Sequence, residues 1–158
     1  MSKAPVYAAK TEVSVEKSRA EIEATLTRYG ADAFAYSIDG RAVRIAFRMD
    51  ERQYRFGITL PSPQDRAFSH LPSGAPRAAV PARAAYDQAC RQKYRALALV
   101  IKAKLEAVAA GISTVEDEFL ANLVLPNRET VSEWIRPQVA ESYRVGSMPN
   151  ALQLEGPK

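Results

Sequence analysis

The sequence predicts an α+β fold: a three-stranded antiparallel meander with helices packed on one face and a helical C-terminal third. Three observations predict it. Between residues 33 and 60, apolar and polar residues alternate in three runs separated by two tight turns. A stripe of helical period precedes these runs and a longer one follows them. The last third carries helix caps and helical spacing again. A chain of 158 residues suits a single domain. At 47% hydrophobic and 25% charged, the composition excludes a disordered tail, a collagen-like fibre and a disulfide-stapled miniprotein.

Each element has its own signal. Residues 1–13 read as a loose lead-in with no apolar signal-peptide core. A helix is expected over about 15–29. Val15, Ile22, Leu26 and Tyr29 form its stripe, Arg19 completes the spacing, and Gly30 is its stop. Ser18 and Glu21 have capping-box spacing, with Ser14 as the alternative cap. Asp39-Gly40 signals a type I′ hairpin, and Asp50-Glu51 a second tight turn. Residues 61–82 hold Pro61, Pro63, Pro72, Pro76 and Pro81, so they read as a long connection without periodic structure, either functional or mobile. Tyr86, Cys90, Tyr94, Leu97, Ile101, Leu105 and Val108 then mark a helix over about 82–110. At 1.5 Å per residue this helix is roughly 40 Å long. A nine-residue strand reaches only about 30 Å. The overhang is therefore expected to meet another element or a second subunit, which leaves a homo-oligomer open. Thr114 caps a short helix to about Leu123, and a helix over about 129–144 carries Val131, Trp134, Ile135 and Val139, with Pro137 as a kink or break. On that stripe Trp134 reads as core, with a protein anchor as the alternative. Residues 146–158 read as a loose tail in which Met148, Leu152 and Leu154 can dock.

Strand alternation divides the sheet residues into two faces. Phe34, Tyr36, Ile38, Val43, Ile45, Phe47, Met49, Tyr54, Phe56, Ile58 and Leu60 are core. The other face holds small residues and Gln53, and its charged members are Arg44, Arg48 and Arg55, with Arg41 and Arg52 beside the turns. Charge is also uneven along the chain: +2 over residues 1–60, +5 over 61–111 and −3 over 112–158. An arginine fork binds phosphate bidentately, so this face is a candidate phosphate-backbone seat. Arg91, Arg95 and Lys102 on the long helix are its possible extension. Single-strand binders usually add stacking aromatics, and this face has none, so contact is expected to follow backbone charge more than base identity. The alternative is a solvated face kept soluble by arginine.

No other chemistry stands out. His70 is the lone histidine, in the proline-rich connection beside Arg66 and Arg77. Cys90 is the lone cysteine, on an apolar stripe; it reads as an inert core thiol and suggests a reducing, cytoplasmic setting. There is no nucleophile elbow and no glycine-rich phosphate loop. Glu116, Asp117 and Glu118 begin a helix, where carboxylates suit the dipole without a metal. Glu129 and Glu133 read as surface solvation. No cofactor, metal or membrane span is expected, and the expectation is a non-enzymatic protein.

The segments VEKSRAEIEATLTRYGADAF, FGITLP, YRALALVIKAKLEAVAAGI and EFLANLVLPNRETVSEWIRPQVAESY together resemble an uncharacterised family of small bacteriophage and prophage proteins. The resemblance spans about Val13 to Pro149 and implies an intracellular, phage-related role without assigning functional residues. The order helix, meander, long helix is also similar to the core of phage single-strand annealing proteins. The leading expectation is a phage-related nucleic-acid-binding accessory protein. The alternatives are an adaptor or host-defence inhibitor that binds a host or phage protein, and a protein that sequesters a nucleotide signal between the arginine face and the 61–82 connection.

Overall fold

Ser14 is the first cap. Its side chain accepts the Lys17 N–H at 3.1 Å, and helix α1 runs Val15–Arg28. Ser18, one turn later, is fully buried and caps nothing. The computed structural model describes residues 7–148, so the expected docking of Leu152 and Leu154 lies outside the described residues, and Met148, expected to dock with them, is exposed.

The meander follows as β1 (Ala33–Asp39), β2 (Ala42–Met49) and β3 (Arg52–Thr59), paired antiparallel in that order. The first turn differs from expectation by one residue. Asp39 pairs with Ala42, so the loop is Gly40-Arg41. Only Gly40 has positive φ (56°), whereas a type I′ turn needs it at both loop positions. The second turn does have it at both: Asp50 at 51° and Glu51 at 63°.

The expected faces are the observed ones except at Ile38, expected in the core but 56% exposed at the turn end of the edge strand β1. Val43, Ile45, Phe47 and Met49 of β2 are buried, as are Tyr54 and Phe56 of β3. All of these but Val43 form one cluster with Ile22 and Leu26 of α1, with Leu97, Ile101 and Leu105 of α3 (Ala79–Ala109), and with Phe119 of α4 (Val115–Phe119). Phe119 meets Phe47 and Phe56 edge-on, with centroids at 5.5 and 5.9 Å. Helices α1, α3 and α4 thus form one layer on one face of the sheet. Cys90 is buried in that layer, on α3.

The proline-rich connection is more ordered than its composition suggests. Asp65 precedes a one-turn helix, α2 (Arg66–Ser69). A small hairpin follows: Leu71 N–H donates to Ala75 O, and Arg77 N–H to Ser69 O, both at 2.8 Å. Prolines are tolerated there because turns leave N–H groups unneeded. For the same reason Pro81 sits in the first turn of α3, which begins three residues earlier than expected. The α3 overhang is covered within the chain. Phe68 packs edge-on against Tyr86 at 5.9 Å, and the Gln88 amide donates to Ala9 O and Thr11 O at 3.1 and 3.0 Å.

After α4 and a 3-10 turn (Leu120–Asn122), the chain lies along the outer edge of β3. Val124 N–H donates to Gln53 O at 2.8 Å, and the Asn122 amide to Arg55 O at 3.1 Å. Helix α5 (Val131–Val145) then starts from a complete capping box of Thr130 and Glu133. It contributes no buried residue, and Pro137 lies inside it without ending it. Trp134, expected in the core, is 44% exposed. Its stripe has helical period, but among the described residues none buries that face: Ile135, Val139 and Tyr143 are exposed with it.

The contrast between the two stripes is testable. Ile101→Ala removes a fully buried side chain and is expected to cost about 2–5 kcal/mol by denaturant unfolding. Ile135→Ala on α5, where the side chain is 38% exposed, is expected to cost under about 1 kcal/mol.

Candidate nucleic-acid interface

Arg44 and Arg48 stand on β2 and Arg55 on β3, all on the face opposite the helical layer. Register places Arg44 between Ser37 and Gly57, Arg48 between Ala33 and Gln53, and Arg55 opposite Ala46. At strand spacings their Cα atoms form a triangle with sides of roughly 8 and 13 Å. Ala33, Ala35, Ala46, Arg48 and Gln53 line a shallow depression of about 250 Å³ on this face. The small side chains let a ligand approach the backbone closely.

The three arginines differ in their partners. Arg44 is exposed and makes no ion pair among the described residues. Arg48 Nε donates to Asp32 Oδ1 at 2.8 Å, and this bond holds the Asp32 carboxyl below its ordinary pKa. Arg55 is the most enclosed: it donates to Arg128 O at 3.0 Å and to Glu133 Oε2 at 2.6 Å. Glu133 also accepts the Thr130 N–H at 2.7 Å; that bond is the chief cause of its lowered pKa, with Arg55 adding to it. One carboxylate therefore caps α5 and ties it to the sheet. Sequence alone marks neither Asp32 nor Glu133 as an arginine partner, because Asp32 lies 16 residues from Arg48 and Glu133 lies 78 from Arg55.

The remaining candidates do not join this face. Arg52 pairs in register with Met49, so it projects toward the helical layer, where it binds Glu116. Arg41 is exposed in the first turn. Arg91 is held by the Gln88 carbonyl oxygen at 3.2 and 2.5 Å, and Arg95 by Glu21 of α1. Lys102 is exposed on the same side of α3. Since α3 packs beneath the sheet, Arg91, Arg95 and Lys102 cannot extend a surface on its open side.

The aromatics are equally one-sided. Phe47 stacks on Tyr54 at 5.3 Å inside the core, so the open face has no stacking platform. The acidic start of α4 is divided among separate partners: Glu116 to Arg52, Asp117 to the Thr114 hydroxyl at 2.7 Å, and Glu118 to Lys104 at 3.4 Å. Among the described residues no group of three or more His, Cys, Asp or Glu is placed to hold a metal ion. No helix among them is long and apolar enough to cross a membrane.

The Glu133 junction has a pH signature. Its carboxyl titrates below its ordinary value in the folded chain. Its contribution is therefore complete above the unfolded pKa and is lost as pH falls through the lower, folded one. Trp134, the single tryptophan, adjoins it. Its fluorescence is expected to change at a pH below the ordinary glutamate range, and Glu133→Gln is expected to abolish that step.

Comparison with protein-family models, curated proteins and solved structures yields no match, so the functional reading rests on the geometry alone.

Proposed function

We propose that this chain is a nucleic-acid-binding accessory protein that contacts the phosphate backbone through its open sheet face. The observation that carries the reading is the projection of Arg44, Arg48 and Arg55 from the sheet face opposite the helical layer, among Ala, Ser and Gly. Arg44 is the primary contact. Arg48 and Arg55 enter by exchanging Asp32 and Glu133 for phosphate. The Arg48 pair is about half exposed on both sides, and such pairs contribute only about 0–1 kcal/mol, so the exchange is inexpensive. Arg55 is more enclosed, with 24% of its side chain exposed, and yields less readily. The resulting affinity is modest, nonspecific in sequence and sensitive to salt.

Fluorescence anisotropy with labelled single strands, duplex DNA and RNA tests this. Binding is expected to weaken with salt. Arg44→Ala is expected to reduce the logarithmic salt slope by about 0.7 on single strands and about 0.9 on duplex. Absence of binding at low salt, or an unchanged slope in Arg44→Ala, overturns the reading.

A second reading rests on α5, whose Trp134, Ile135, Val139 and Tyr143 are exposed. Contiguous exposed apolar surface marks protein contacts. The partner is then a protein, or a second copy of this chain. That reading expects an association that survives nuclease and high salt and is lost in Val139→Asp; persistence in Val139→Asp removes α5 from it.

A further inference from the structure

Outside the sheet, the connection between β3 and α3 builds a basic cleft. Arg66, Ala67, His70, Leu71, Pro72 and Arg77 line it, around a volume of about 360 Å³. That is within the range of small-molecule sites. The cleft is held from two sides. Its hairpin is closed by Leu71 to Ala75, Gly74 to Leu71 and Arg77 to Ser69 hydrogen bonds, each 2.8 Å. Phe68 anchors α2 on Tyr86 of α3. A built loop of this kind keeps its side chains in place, whereas a solvated linker would not.

The charge around the cleft is one-sided. Neither Arg66 nor Arg77 makes an ion pair among the described residues, although arginines elsewhere in the chain find carboxylates repeatedly. The adjacent carboxylate, Asp65, is turned to the backbone, accepting the Ser62 N–H at 3.0 Å. Arg77 Nε is buried without a hydrogen-bond partner, and its Nη2 reaches only His70 O, at 3.4 Å. An orphaned guanidinium donor is costly, and a rotation of the Arg77 side chain that turns this edge to the cleft lets an oxyanion relieve it. His70 is oriented by the 2.8 Å hydrogen bond between its Nδ1 and Ser69 Oγ. Arg66 extends over the hairpin tip, its Nη2 at 4.0 Å from where a Cβ on Gly74 would lie.

We propose that this cleft binds a phosphate monoester. Two guanidinium groups and an imidazole match a dianion better than a single carboxylate, and the remaining volume admits the group that bears the phosphate. The site is separate from the sheet arginines and does not depend on the reading given to them.

The chain has a single histidine, so its imidazole NMR resonances report on the site without ambiguity. Full-length protein is titrated with inorganic phosphate, 5′-AMP and adenosine, and with one oligonucleotide carrying or lacking a 5′-phosphate. Phosphate and AMP are expected to shift the His70 resonances, and adenosine is expected to leave them in place. Arg66→Gln and Arg77→Gln are each expected to weaken the effect about tenfold, the scale of one charge-assisted hydrogen bond. Arg77→Lys, which retains charge without the fork, tests bidentate contact, and an unchanged amide spectrum controls for folding. Tighter binding of AMP than of phosphate identifies a small phosphomonoester as the source. A preference for the 5′-phosphorylated oligonucleotide identifies a nucleic-acid end. Unmoved His70 resonances, or binding by both glutamine variants as tight as that of the unaltered protein, overturn the proposal. Arg44→Ala is expected to leave this titration unchanged, so failure here and failure of the sheet reading are told apart.

Discussion

Burial of one face of β2 is the constraint on which the rest of the molecule depends. Val43, Ile45, Phe47 and Met49 are each at most 2% exposed. Ile45 and Phe47 take neighbours from both adjacent strands and from the helical layer at once. A slip of one residue in β2 would bring Arg44, Arg48 and two alanines into that contact. The register is therefore held by the cost of burying guanidinium groups as much as by the gain from burying Ile45 and Phe47. The same constraint forces Arg44 and Arg48 onto the open side, so the candidate interface is a consequence of the core.

How those arginines are then used depends on where acids arrive. Asp32 meets Arg48 from the lead into β1, and Glu133 reaches Arg55 across 78 residues. Each pair lowers the net field of the face, and each is exposed enough to be exchanged. Arg44 receives no such partner. The face is graded in consequence, from the open Arg44 through the half-exposed Arg48 to the enclosed Arg55. Glu133 also links that gradation to α5, whose start it caps.

Much of this organisation is legible in the sequence. Alternation in the three strand runs assigns Phe47 and Arg48 to opposite faces without any tertiary information. The stripe Cys90, Tyr94, Leu97, Ile101, Leu105 marks the buried side of α3 for the same reason. The failures are also instructive. Proline content hides α2 and the hairpin at 70–77, because the hydrogen bonds that order them run between nearby backbone groups and leave no periodic pattern. The stripe around Trp134 has the spacing of a core helix, yet amphipathicity says only that a face is apolar. It does not say that the chain itself supplies the cover.

Local rules thus determined the α+β class, the meander, the two faces and the cap at Thr114, since each depends on residues within a turn or a strand of one another. Only the tertiary structure decided which arginines remain unpaired, which side of the sheet Arg91, Arg95 and Lys102 occupy, and that Arg66, His70 and Arg77 share a cleft. Those outcomes depend on which distant side chains arrive beside each charge, and the spacing of residues along the chain carries no record of that.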